Sequence, residues 1–173
     1  MLIVLLVPLI VAAVVVGRVV GHGAGRAADV SAPPSSQRDQ LPVVSVDVPP
    51  VTPQAQASCP ALMEKLPLDL AGEQSRRVQS QTPFAYAWGN PATVLICGVD
   101  RPAGFGATSG LIQINGVQWY VDTSNPDTVV WTAVDRPVYV RVDVPSSVDS
   151  APVTALTPQI AQALPYREPT PGP

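Results

Sequence analysis

Cys59 and Cys97 are the only cysteines of the 173-residue chain, and His22 is its only histidine. Thiols serve three chemistries: a disulfide, a metal site or a nucleophile. A metal site usually takes four ligands, and His22 lies beside the N-terminal apolar segment, away from any stretch able to form a core. A nucleophilic cysteine needs a base to make its thiolate, and the candidate domain holds no histidine for that role. The pair therefore reads as one disulfide, a cross-link that belongs to an oxidising compartment. Closing a loop of about 38 residues is worth roughly 4 kcal/mol in lost unfolded-chain entropy, a large share of the roughly 5–15 kcal/mol that holds a small domain together.

The missing base also weighs against a serine or threonine nucleophile, and no Gly-x-Ser-x-Gly occurs. Ser-Lys chemistry would rest on Lys65 alone, the single lysine, on a helix face that reads as exposed. Asp122, Asp127, Asp135 and Asp143 all fall on or near expected strands, which leaves paired-carboxylate chemistry open. Such residues more often cap strands and turns. In "RPAGFGATSG", Gly104 and Gly106 follow a strand but open no helix, so they make no phosphate loop. That stretch reads as a strand connection or a loop over a groove. No cofactor or metal is expected.

The binding candidates are aromatic. Trp88, Trp119, Tyr120 and Trp131 fall in expected strands, where a row of rings could grip a sugar, a lipid tail or a peptide. Equally, indoles can fill the core of a domain otherwise built from Val, Ala and Leu. Trp119 and Tyr120 are neighbours and must face opposite sides of their strand. Arg136 could bind an anion, or pair with Asp135 or with turn carbonyls. The net charge is −3 and the ten basic residues form no run, so a nucleic-acid surface is not expected.

The elements that must position these residues are mostly strands. "FAYAW" and "ATVLICGV" flank a turn at Gly89-Asn90-Pro91, where Asn90 is kept from the helical region by the proline after it. The second of these strands is apolar on both faces, as a covered central strand should be. In "LIQINGVQWYVD", Asn115-Gly116 is the favoured turn of a two-residue hairpin. "TVVWTAV" and "PVYVRVDV" suggest another hairpin about Asp135-Arg136, with Val138, Val140, Val142 and Val144 on one face of the last strand. Two short helices are expected, one over "CPALMEKL" with Ser58 as N-cap, one over "TPQIAQALP" with Thr157 as N-cap. "LAGEQSRRVQS" is ambiguous. The expected fold is α+β, with an antiparallel sheet of five to seven strands, two short helices and one intradomain disulfide.

Before this domain stands "MLIVLLVPLIVAAVVVGRVVGHG", apolar without a break from Leu2 to Gly17. Its length falls between a signal-peptide core and a full membrane span. Residues 1–21 are thus expected to be a signal anchor or a cleaved signal peptide, and the absent basic n-region is what a late start site would produce. Residues 22–40 read as a flexible Pro/Ser-rich linker, 41–166 as the folded domain and 167–173 as a disordered tail.

The order Cys-Pro, "AWGNP", "ICGV", "NGVQW" and "RPVYVRVDVP" resembles the actinobacterial family of exported or membrane-anchored proteins described as domain of unknown function 3515. The shared positions are Cys59, Trp88, Gly89, Pro91, Cys97, Gly98, Gly116, Trp119 and Arg136. The resemblance implies a single N-terminal anchor and a domain outside the cytoplasm, and implies no activity. The expectation is a non-catalytic, membrane-tethered domain of the cell envelope that binds a partner protein or a cell-wall component. Two alternatives stand beside it: an envelope enzyme with an Asp-based site acting on a glycan, and a carrier of a small apolar ligand.

Overall fold

The computed structural model describes residues 38–173. In chain order these form β1 (Val44–Ser45), α1 (Pro53–Met63), β2 (Asp69–Leu70), β3 (Glu73–Arg76), β4 (Val78–Gln79), β5 (Ala85–Trp88) and β6 (Thr93–Val99). There follow β7 (Ile112–Ile114), β8 (Val117–Asp122), β9 (Thr128–Ala133), β10 (Tyr139–Pro145) and α2 (Ala151–Ala163). Eight strands make one sheet in the order β2-β3-β5-β6-β10-β9-β8-β7, antiparallel at every pairing, while β1 and β4 form a parallel two-stranded pair beside it. The expected anchor and most of the linker lie outside the described residues, among which no helix is long and apolar enough to cross a membrane.

The sheet has eight strands, not five to seven. The additional hairpin comes from "LAGEQSRRVQS": Ala71 and Gly72 both take positive φ and reverse the chain between β2 and β3. Its third strand carries no apolar alternation because polar residues occupy its buried positions. Ser75 and Arg76 are both buried, and the Arg76 guanidinium donates to the carbonyls of Gly89 and Pro42.

Both helices begin earlier than their sequence suggested. Thr52, not Ser58, caps α1: its hydroxyl accepts the Ala55 N–H at 3.1 Å, and Pro53 supplies the first turn. Cys59 and Pro60 therefore sit well inside the helix. Thr157 is likewise interior to α2, fully buried, with its hydroxyl donating to the Val153 carbonyl one turn back. That local bond satisfies the hydroxyl without a cap.

The two helices cover one face of the sheet. Leu95 and Cys97 of β6, Val140, Val142 and Val144 of β10, and Val117 and Trp119 of β8 pack there against Cys59 and Leu62 of α1 and Val153, Leu156 and Ile160 of α2. Cys59 and Cys97 are disulfide-bonded, with Cα atoms 5.8 Å apart. Gly98 makes this approach possible. It is the extra residue of a bulge, since Val99 and Cys97 pair with the consecutive Tyr139 and Val140.

The opposite face is covered over one part only. Val46, Ala85 and Ile96 form a small second core there, with Val44, Val48, Val78, Val94 and Val99 packed on it. This is why β6 is apolar on both sides. Beyond that cluster, the β8, β9 and β10 portion of this outer face carries Tyr120, Asp122, Thr132, Arg141 and Asp143, with Val130 among them.

Residues 167–173, expected to be a disordered tail, run back along the domain with defined partners. Arg167 N–H donates to the Asp135 carbonyl and Gly172 N–H to the Phe105 carbonyl, both at 2.9 Å. The Tyr139 hydroxyl lies 3.1 Å from that of Thr170.

Candidate functional site

The sequence candidates divide between the two faces. Trp88 and Trp119 are core residues, 1% and 0% exposed. Trp88 donates its indole N–H to the Pro67 carbonyl at 2.8 Å and packs on Tyr86 with ring centres 4.6 Å apart. Trp131, half-buried, meets Trp119 edge-on at 6.3 Å. Register places Trp131 opposite Val142 and Val121 on the helix-covered face. These three indoles thus build the interior and do not form an exposed row.

Arg136 is 6% exposed and spends its donors internally, to the Gly116 carbonyl at 2.8 Å and the Asp135 carbonyl at 3.3 Å. It therefore braces the β9–β10 connection against the β7–β8 hairpin turn, the turn-carbonyl alternative, and is not placed to take an anion. The Asp135 carboxylate is fully buried, 3.8 Å from the Arg136 Nε, with no hydrogen-bond partner among the described residues. Burial pushes its pKa up, against the opposing pull of Arg136.

Of the four aspartates, the sheet brings two onto one row. Asp122 of β8 faces Val130 of β9, and Val130 faces Asp143 of β10, so all three side chains leave the same face. Two strand spacings put the carboxylate-bearing residues roughly 9–10 Å apart. On the adjacent row stand Tyr120, Thr132 and Arg141. Arg141 closes on Asp143, Nε to Oδ1 2.6 Å, which leaves Asp143 neutralised. Asp127 sits apart, on an exposed turn where its N–H donates to Asn125 Oδ1.

A groove of about 400 Å³ opens on this outer face. Val99, Asp122, Val130, Thr132 and Arg141 line its sheet side, and Pro49, Asp100, Pro102, Ala103 and Gly104 its loop side. The loop "DRPAGFG" is thus a wall over a groove. Its position is set from beneath: Phe105 is buried with its ring 5.7 Å from that of Tyr120. A Cβ on residue 104 would stand 2.3 Å from the Tyr120 hydroxyl oxygen, so glycine is what lets the wall lie this close. Of the aromatic candidates only Tyr120 approaches this site, as a support under the wall, and of the carboxylate candidates Asp122 lines it.

The electrostatics are those of an anchor. The Ser124 N–H donates to Asp122 Oδ1 at 2.9 Å, and this bond, with the Ser124 hydroxyl and the nearby Arg141, holds the Asp122 carboxyl below the usual range. A carboxylate held ionised is poorly suited to give up a proton, whereas general-acid catalysis needs a raised pKa. Among the described residues the one aspartate pushed upward, Asp135, lies in the β9–β10 connection and does not line the groove. Among the described residues no three His, Cys, Asp or Glu side chains converge as a metal site would require.

Sequence reasoning missed Asp100, Thr132 and Arg141, which belong to three different strands or strand ends and share no motif. The only available signal was the outward set Tyr139, Arg141 and Asp143 on the last strand. No curated protein and no solved structure matches this chain. The model of the family described as "Protein of unknown function (DUF3515)" matches residues 2–169, nearly the whole sequence, and the chain belongs to that family.

Proposed function

We propose that this protein is a non-catalytic, membrane-tethered domain of the cell envelope that binds a ligand or partner in its outer-face groove. The observation that carries the binding role is the pairing of an ionised Asp122 with a groove whose wall is set by packing, while the only carboxyl with a raised pKa among the described residues, Asp135, does not line that groove. Such a site can hold and orient a ligand but lacks a matched acid and base. The placement outside the cytoplasm is supported by the Cys59–Cys97 disulfide, at home in oxidising compartments. The apolar run ahead of Arg18 supports the tether.

Site-specific photo-cross-linking in the source cells tests this reading. The full-length chain would carry the photo-reactive residue either at the exposed groove residue Ala103 or at exposed Glu64, beside the helices on the far side. A discrete adduct from position 103 and none from position 64 is expected. Equal adducts from both, or none from either, would overturn the groove as the binding surface.

A further inference from the structure

Residues 168–173 read Glu-Pro-Thr-Pro-Gly-Pro, a proline at every second position. Proline fixes its own φ at about −65° and keeps the residue before it in the extended region. Each residue of this segment either is a proline or precedes one, so the segment is extended before it touches anything. The prolines bring no N–H, which leaves Glu168, Thr170 and Gly172 as its backbone donors.

The domain meets this strand at three points in succession. The Arg167 N–H donates to the Asp135 carbonyl at 2.9 Å. The Tyr139 hydroxyl lies 3.1 Å from Thr170 Oγ1 and 3.3 Å from the Thr170 carbonyl oxygen. The Gly172 N–H donates to the Phe105 carbonyl at 2.9 Å, and Gly172 bridges to Gly106 in parallel. Gly172 is buried while Pro171 and Pro173 on either side of it stand exposed, so the bonding residue is covered and its prolines face solvent.

The seat also discriminates. A Cβ on residue 172 would stand 1.8 Å from Arg101 Nη1, and that guanidinium is itself held on the Phe105 carbonyl at 3.2 Å. Any residue but glycine would have to displace it. Upstream, Pro165 and Tyr166 are exposed and make no backbone–backbone hydrogen bond among the described residues, which leaves a free joint between α2 and the seated strand. None of Arg101, Phe105, Asp135 and Tyr139 lines the outer-face groove.

We infer that this seat is a second recognition site, separate from the groove, for an extended Thr-Pro-Gly segment: the chain's own residues 167–173 fill it as an internal ligand, and the same residues of a second copy fill it in exchange. A segment held extended by its prolines loses little conformational freedom on docking, as suits a peptide ligand. The second copy brings the hydroxyl, the glycine and the prolines in the register that the seat reads. Every bond given above is then remade between two chains, and only the joint at 165–166 has to swing.

Two measurements on the full-length chain test this. Gly172→Pro removes the N–H bound by Phe105 and empties the seat. A fluorescent peptide of residues 166–173 should bind that variant saturably, read by anisotropy. It should bind the parent about tenfold more weakly or less, because a tethered strand competes at an effective concentration on the order of millimolar. Adding Tyr139→Phe to the variant should weaken the peptide about fivefold, the scale of one hydrogen bond. A peptide carrying Gly172→Ala should also bind more weakly, and adding Arg101→Ala to the variant should make the glycine and alanine peptides equal. In the second measurement, 14N and 15N chains with a photo-reactive residue at exposed position 171 are mixed and irradiated. Mass spectrometry should find links from position 171 to residues 101–110 that join a 14N chain to a 15N chain, in a share that rises with protein concentration. No peptide binding to the Gly172→Pro chain, or equal affinity of that chain for the glycine and alanine peptides, would overturn the recognition site. Links confined within single chains at every concentration would overturn the second copy as its occupant.

Discussion

Gly98 lies directly against Ala55: a Cβ built on residue 98 would stand 2.5 Å from the Ala55 Cβ and 3.5 Å from the Cys59 sulfur. The backbone of Gly98 also takes φ +86°. The bulge in β6 and the close seat of α1 are thus one structural device, locked by the adjacent disulfide. Gly98→Ala must pay for both a left-handed alanine and an overpacked contact, together about 3 kcal/mol. Urea unfolding with the disulfide intact should show this loss. Ala55→Gly in the same chain should return part of it, so the pair should be distinctly non-additive.

Removing the cross-link has a separate cost. Replacing Cys59 and Cys97 together by alanine should lower stability by about 2–5 kcal/mol, since both sulfurs are buried and the bridge spans 38 residues. Paired urea curves of the variant and the oxidised parent measure it. The groove-face amides of β8, β9 and β10 should keep their spectra if the domain still folds, because the bridge lies on the opposite face.

Stability should respond to acid through two aspartates of opposite sign. Asp122 has a folded pKa below the ordinary aspartate value of 3.8, so its contribution is present above that value and is lost as pH falls through the lower folded one. Asp135 has a folded pKa above 3.8, so its contribution is fully present below that value and is lost as pH rises through the raised one. Urea midpoints from pH 3 to pH 7 check both signs. Relative to the parent, Asp122→Asn should become progressively worse as pH rises from the acid end to about 4. Asp135→Asn should become progressively better as pH rises beyond about 4.

The C-terminal segment should control the groove wall. Gly172 bridges to Gly106, its N–H holds the Phe105 carbonyl, and the Arg101 guanidinium donates to that same carbonyl at 3.2 Å. A chain ending at residue 167 loses both Gly172 ties and keeps only the Arg101 one. Hydrogen exchange should speed up at least tenfold across residues 101–110 and stay unchanged in β5 and β6, while global stability falls by only about 1–2 kcal/mol.

What could be read in the sequence was whatever a few adjacent residues decide. Asn115 and Gly116 have φ of 45° and 79°, as their hairpin turn requires. The alternation of Val138 to Val144 put all four valines in the core. The two-faced strand holding Cys97 proved central, and its bond to Cys59 formed. The helix starts were misread because Thr-Pro and Ser-x-Pro can cap a helix or sit within one, and tertiary packing chooses. Strand β3 was hidden because Arg76 is buried for its hydrogen bonds rather than for apolar area. The groove was invisible for another reason. It exists because residues 44–48 cover part of the outer face and leave the rest open, and the side chains it gathers meet only across four strands and the loops beside them.

The most direct measurement is the light-induced adduct from position 103 of the full-length chain, compared with and without Asp122→Asn. Binding through the groove predicts a discrete adduct that largely disappears in the variant while the variant chain still unfolds cooperatively at pH 7, its midpoint lowered only by the lost Asp122 contribution. An adduct of equal yield in both chains would contradict it, because the ionised carboxylate lining the groove would then have no part in what the protein holds.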